Sequence, residues 1–184
     1  MLNRRSVILA LAVALGGVSS TPLIAEPDIT KEMVPTFSEE FEGSALRPIW
    51  ARAFRKPWSI ANRSLYGNRE RQIYFDASFL GAGIEPASVR NGILTITAEP
   101  LRPDVLGRLR EELGKQPPDI RNSALKDVAY SSGMITTRGG FEQRYGYFEI
   151  RARWTGGRGI WPAFWLLPAK GGWPPEIDII EAHG

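Results

Sequence analysis

Over residues 145–154 the side chains of Tyr147, Glu149, Arg151 and Arg153 alternate with Phe148, Ile150, Ala152 and Trp154. That is the two-residue period of a half-buried strand. Residues 89–98 read Val-Arg-Asn-Gly-Ile-Leu-Thr-Ile-Thr-Ala, so Asn91-Gly92 predicts a tight turn and residues 93–97 a strand of branched side chains. Residues 134–137 continue the theme. Glycine and proline punctuate most of the sequence past Glu26, which predicts many short strands, with antiparallel sheets facing each other across a core. One stretch has a helical period instead: Val105, Leu106, Leu109 and Leu113 fall on one face, bounded by Gly114 and Pro117-Pro118. It is expected outside the sheets, as a short helical insertion. No internal repeat or low-complexity tract is visible.

The N-terminus has a different pattern. Asn3-Arg4-Arg5 precedes an apolar run over residues 7–18, broken by Gly16-Gly17 and followed by Ser19, Ser20 and Thr21. These are the three parts of an export signal. The run is well short of the roughly 20 apolar residues that span a bilayer, so no membrane association beyond the signal is expected. Cleavage after Ser20 and after Ala25 both fit. The Arg4-Arg5-Ser6-Val7-Ile8 order also resembles a twin-arginine signal, and an ordinary secretory signal is the other reading. Either route predicts a secreted or periplasmic protein.

Composition narrows the chemistry. The 184 residues suit one domain, and 43% apolar with 23% charged residues is ordinary for a folded soluble body. There is no cysteine, which excludes disulfides, thiol nucleophiles and cysteine-ligated metals, and His183 is the single histidine, which excludes any site needing two. The formal charge of +3 falls to about +1 once Arg4 and Arg5 are set aside. The arginines are scattered among as many carboxylates, so nucleic acid is not an expected partner.

The segment Trp173-Pro174-Pro175-Glu176-Ile177-Asp178-Ile179-Ile180-Glu181 carries the most information. Its isoleucines favour a strand, on which Glu176 and Asp178 share a face while Glu181 falls on the other. An inserted residue, a β-bulge, would return Glu181 to the first face. The bulge is therefore a structural prediction, conditional on a shared site. Crowding three carboxylates is costly unless one holds a proton, and one ionised and one protonated carboxyl are what glycoside hydrolysis uses. Five strand steps span about 16 Å, against the roughly 5–5.5 Å of a retaining pair, so bulge, curvature and inward lean have to shorten the distance. A solvent-facing acidic edge strand is the alternative on spacing alone.

The Glu176-Ile177-Asp178-Ile179-Ile180-Glu181 run resembles the signature of glycoside hydrolase family 16, in the longer, bulged form of laminarinase-like and agarase-like members. Phe37-Ser38-Glu39-Glu40-Phe41-Glu42-Gly43 resembles the family's opening strand, and Asn68-Arg69-Glu70-Arg71-Gln72-Ile73-Tyr74 its early cleft strand. Ser132-Gly133-Met134-Ile135-Thr136-Thr137, then Tyr145-Gly146 with Glu149 and Arg151, then Gly159-Ile160-Trp161-Pro162-Ala163-Phe164-Trp165, follow in the family's order. The resemblance implies an all-β jelly-roll sandwich with an open, polysaccharide-binding cleft. It assigns residues 37–184 to the N-terminal part of a catalytic domain, after a signal over 1–25 and a linker over 26–36.

By carry-over, Glu176 is the nucleophile, Glu181 the acid and then base, and Asp178 the residue that hydrogen-bonds the nucleophile. The implied reaction is internal cleavage of a β-glucan, galactan or bacterial exopolysaccharide with retention, needing no cofactor. A structural calcium is a further expectation, because many members carry one. Trp161, Trp165 and Trp173 are expected at sugar subsites, with Asn68 and Glu70 as polar candidates; core packing is the competing use of each tryptophan. Trp50, Trp58 and Trp154 are expected to be structural. His183 shares strand parity with Glu181, although a lone histidine is more often a bystander.

The chain departs from the family in three places. Met134 stands where a basic residue is common. The insertion over about 103–126 lies between cleft-forming strands and would lengthen a rim or reshape the subsites. The family's sandwich has further strands after its catalytic one, so the chain reads as truncated, a fragment of a longer product. A lectin-like cleft, a transglycosylase and an inactive fragment are the competing functions.

Overall fold

The computed structural model describes residues 32–54 and 59–184. The expected signal, most of the linker and Trp58 lie outside the described residues. Two compact units are distinguished, Met1–Val34 and Pro35–Gly184, and the second holds every strand and α-helix named here. In chain order these are β1 (Gln72–Tyr74), β2 (Ala87–Arg90), β3 (Ile93–Ile96), β4 (Glu99–Pro100), α1 (Pro103–Gly114), α2 (Pro118–Arg121), β5 (Tyr130–Ser132), β6 (Ala163–Leu166) and β7 (Ile177–Glu181).

Short strands in small sheets bear out the all-β reading. β5 is the middle strand of a three-stranded sheet, parallel to β1 and antiparallel to β4. The parallel pair departs from the antiparallel expectation. Its connection carries the β2–β3 hairpin and both helices, which gives parallel strands the long crossover they need. In the hairpin, Asn91 and Gly92 have φ of 53° and 72°, the left-handed pair that a two-residue turn requires. The hairpin approaches the main sheet closely at Gly133, where a Cβ would lie 3.0 Å from Ile96 Cγ2 and 3.1 Å from Pro86 Cβ. Glycine is what lets the two pass.

The core lies between β1 and the helical segment. Ile73 and Phe75 on the sheet side meet Val105, Leu109 and Leu113 of α1, with Ile60, Phe79, Leu125 and Val128 completing the cluster. Val105, Leu109 and Leu113 recur every four residues, so one stripe of α1 is buried while Arg108 and Arg110 stay in water. Pro103 opens the helix with φ already set, and Pro117 precedes the next one. The 103–126 stretch is thus more than a rim. A three-residue strand cannot bury an apolar face alone, and α1 covers it.

Beneath this core, Arg63 is only 3% exposed. Its Nη1 donates to Tyr74 O at 3.0 Å and its Nη2 to Asp76 Oδ2 at 2.6 Å, while its guanidinium lies 4.1 Å from the Phe79 ring centre. Asp76 also accepts from the Ser78 and Phe79 N–H groups, at 2.9 and 3.1 Å. Burial pushes the Asp76 carboxyl up, but the Ser78 and Arg63 hydrogen bonds and the Arg63 charge outweigh it and hold it below the usual value.

The N-terminal part of the unit is tied by aromatic contacts. Phe37 stacks on Phe141 at 4.7 Å and meets the edge of Trp50 at 5.8 Å. Trp50 Nε1 donates to Glu39 Oε2 at 2.7 Å, which supports the structural role expected of Trp50. Residues 37–43 nevertheless form no strand. The expected strand over 145–154 is also absent, and Thr136 makes a single bridge to Ala51. Tyr145 is 76% exposed, and Trp154, expected to be structural, is exposed as well. Alternation supplies a buried face, but a strand also needs a neighbour for its N–H and C=O groups. None of the described residues pairs with 145–154.

Two outcomes follow from this packing. Leu109→Ala should cost about 2–5 kcal/mol in urea unfolding, against less than about 0.5 kcal/mol for exposed Arg110→Ala; equal losses would remove α1 from the core. Because folding lowers the Asp76 pKa, its stabilisation is present above the unfolded value of about 3.9 and is lost as pH falls through the folded one. Asp76→Asn should therefore destabilise by about 3 kcal/mol or more at pH 7, leaving Arg63 buried without its charge partner, and by much less at pH 2.

Candidate active site

The acids of the signature sit on and just before β7, which pairs antiparallel with β6. Ala163 opposes Glu181 and Phe164 opposes Ile180, but Trp165 opposes Asp178 and Leu166 opposes Ile177. The register shifts between Phe164 and Trp165, so Ile179 has no opposite number. This is the bulge that the spacing of the acids required. With it, Asp178 and Glu181 share a face with Trp165 and Ala163; Glu176 stands just before β7, where continued alternation would carry it to the same side. All three carboxylates are exposed, while Phe164 and Ile180, paired on the other face, are partly buried.

Pairing continues past β7. Ala182 N donates to Pro162 O at 3.1 Å and Gly184 N to Ile160 O at 3.0 Å. That register sets His183 opposite Trp161, and their ring centres lie 4.6 Å apart. Trp161 Nε1 donates to Glu181 Oε1 at 3.0 Å, and His183 Nε2 lies 3.7 Å from Glu181 Oε2. Glu181 is thus flanked on both oxygens. Strand parity had brought His183 to this face, but its contact with Trp161 follows from cross-strand register.

Trp165 is half-buried and meets the edge of Phe54 at 6.1 Å; Phe54 meets the edge of Tyr74 at 5.6 Å. The Tyr74 hydroxyl donates to Glu70 Oε2 at 3.3 Å, alongside Gln72 Nε2 at 2.8 Å and Leu65 N at 3.4 Å. Burial pushes the Glu70 carboxyl up despite these bonds, and burial with the Glu70 charge pushes the Tyr74 hydroxyl up. Glu70 therefore reaches the β6–β7 face through a run of aromatic rings rather than directly. Nothing in the sequence singled out Phe54, the middle of that run.

Asn68 is exposed at the end of a 3-10 turn, and no side-chain contact joins it to the acids. Trp173 is 72% exposed on the loop before Glu176. Among the described residues no group of three or more His, Asp or Glu side chains is placed to hold a metal ion.

The profile of the glycosyl hydrolases family 16 matches residues 88–184, which include the whole β6–β7 hairpin. The chain belongs to glycosyl hydrolase family 16. Its fold class is accordingly the family's jelly-roll β-sandwich. Among curated relatives, the endo-1,3-1,4-beta-glycanase ExsH of Rhizobium meliloti (strain 1021) is 39% identical over 156 residues, covering 81% of this chain and 30% of the relative. The endo-1,3-1,4-beta-glycanase EglC of the same organism is 36% identical over 159 residues, covering 83% and 30%. A beta-glucanase of Rhodothermus marinus is 36% identical over 126 residues, covering 65% and 35%. The chain thus spans about a third of the length of these relatives. No solved structure matches it. Asn68 and Glu70 precede the family-matched stretch, whereas the three acids and Trp161, Trp165 and Trp173 fall inside it.

The Glu181 contact has a direct spectroscopic test. In Glu181→Leu the Trp161 indole N–H loses its acceptor, so its proton resonance should move upfield in a 1H–15N spectrum while that of Trp50, bonded to Glu39, holds. An unmoved Trp161 peak would break the contact.

Proposed function

We propose that the protein is a secreted, retaining, endo-acting β-glycanase that cleaves a polysaccharide with 1,3- and 1,4-linkages. The linkage follows the names of its two Rhizobium relatives, and β-glucan, galactan and bacterial exopolysaccharide are the wider class. The observation that carries the reading is the bulge at Ile179, because with it Asp178 and Glu181 share one solvent-facing side of β7, the side that continued alternation gives Glu176. Without the bulge Glu181 would oppose the other two.

In this mechanism the Glu176 carboxylate attacks the anomeric carbon while the Glu181 carboxyl protonates the departing glycosidic oxygen. A covalent glycosyl–Glu176 ester forms and the aglycone leaves. Glu181, now ionised, takes a proton from water, which attacks the same carbon and frees Glu176 with configuration retained. Asp178 orients Glu176 through a proton shared between the two carboxyl groups. Trp161 holds one Glu181 oxygen in place, and exposed Trp173 offers a flat face to a pyranose ring. An exposed hairpin face suits binding along the interior of a chain. The cationic, apolar and small-residue order at the N-terminus supports export.

The test uses mixed-linkage β-glucan and laminarin, with reducing ends, product size and the anomer first formed as readouts. Glu181→Gln should lower kcat/KM by about 10²–10⁴, and Glu176→Gln should abolish the burst of glycosyl-enzyme. Wild-type rates in both variants would overturn the assignment. Binding with no new reducing ends would favour a lectin-like cleft, and products longer than the substrate a transglycosylase. N-terminal sequencing of exported protein should begin at Thr21 or Glu26; a Met1 start would overturn the export reading.

A further inference from the structure

A concavity of about 700 Å³ opens at one end of the main sheet, lined by Arg69, Arg71, Asn122, Ser123, Lys126 and Asp127. It brings three cations together with one carboxylate. Arg47, Arg52, Arg63, Arg102 and Arg108 each pair with an acid, but among the described residues no ion pair engages Arg69, Arg71 or Lys126. A convergent set of uncompensated cations on a concave surface attracts an anion.

The cations stand on fixed backbone. Arg69 closes the 3-10 turn Tyr66–Asn68 in the left-handed region, at φ 57° and ψ 31°, with its N–H bonded to Tyr66 O at 3.2 Å. Glycine or asparagine adopts that conformation more readily, so arginine there carries a backbone cost. The Arg71 carbonyl accepts from both Ala129 N and Tyr130 N, at 2.9 and 3.1 Å, where β1 and β5 begin to pair. Lys126 and Asp127 lie on the 3-10 turn Ala124–Asp127, which Ser123 Oγ caps by accepting from Leu125 N, and whose Leu125 is buried in the core. A fixed backbone leaves only the side-chain rotamers to be ordered when an anion binds.

The ligand chemistry follows from these groups. Two guanidinium forks match carboxylates, and a single nearby acid, Asp127, disfavours a densely charged polyanion. The Arg71 guanidinium lies 6.0 Å from the Tyr130 ring centre, and Tyr130 is 39% exposed, which puts an aromatic face beside the charge as a pyranose platform. None of Glu176, Asp178, Glu181 and Trp165 lines this concavity. We propose that this concavity is a separate carboxylate-binding site that holds an acidic sugar of a polysaccharide. The saccharide part rests on the glycanase reading; the anion part does not.

The test is calorimetric binding of trigalacturonate and of its neutral methyl ester to the full chain at 20 and 200 mM NaCl. The acid should bind about tenfold more tightly than the ester at low salt and lose most of that margin at high salt. Arg69→Gln/Arg71→Gln/Lys126→Gln should abolish the margin, Lys126→Glu alone should reduce it, and Arg110→Gln should leave it intact. Equal binding of acid and ester, or a margin that survives the triple variant with an unchanged circular dichroism spectrum, would overturn the site. Displacement of trigalacturonate by equimolar inorganic phosphate, or tighter binding of a single-stranded DNA oligomer, would overturn the saccharide assignment. A margin that persists in a protein that cuts neither glucan would leave this site standing while the glycanase reading falls.

Discussion

A strand commits each side chain to one of two faces, and no choice of rotamer reverses that commitment. Acids at positions 176, 178 and 181 cannot act on one substrate unless the backbone itself changes register between the second and the third. Ile179 supplies that change, as the unpaired residue between Asp178 and Ile180 on a strand otherwise laddered to β6. The apolar side gains from the same shift, since Ile180 comes to oppose Phe164 on the partly buried face. One extra residue therefore sorts acids to water and isoleucine to the interior together.

Among the described residues the hairpin is linked to the rest of the unit by rings rather than by backbone hydrogen bonds. Trp165, Phe54 and Tyr74 meet edge to face, and Tyr74 is held in turn by β1 and by Glu70. Edge-to-face pairs contribute about 0.5–1.5 kcal/mol each beyond their buried area. β1 is itself anchored on its other side by α1, through Ile73 and Leu109, and at its end by the Arg63–Asp76 pair. The site face and the core are thus two sides of the same short strand.

Features set by neighbouring residues were legible in the sequence, and those set by distant partners were not. Asn91-Gly92 alone specifies the β2–β3 turn, and the four-residue recurrence of Val105, Leu109 and Leu113 alone specifies the buried face of α1. The spacing of three acids predicted the bulge because parity is a local rule. By contrast, the alternation over 145–154 describes a strand whose pairing partner no local signal can provide. The parallel β1–β5 pair and the use of α1 as core rather than rim depend on contacts remote in sequence, between Ile73 and Val105 or Ser131. Phe54 was illegible for the same reason, having no motif around it. Glu70 was legible as a polar residue of the early cleft segment, yet its three hydrogen bonds come from local residues, so it braces Tyr74.

The environment of Glu181 shows how an exposed acid can be held without being buried. Burial would orient the carboxylate but would also remove water and substrate from it. Here the register past β7 sets His183 opposite Trp161, and the contact between their rings restrains the indole in turn. The indole N–H then fixes Glu181 Oε1 at 3.0 Å, from one side only. Oε2 has His183 Nε2 at 3.7 Å, and Glu181 as a whole remains exposed. Orientation comes from a tilted cross-strand ring contact two residues further along, so the carboxylate is placed by its neighbours and still stays exposed.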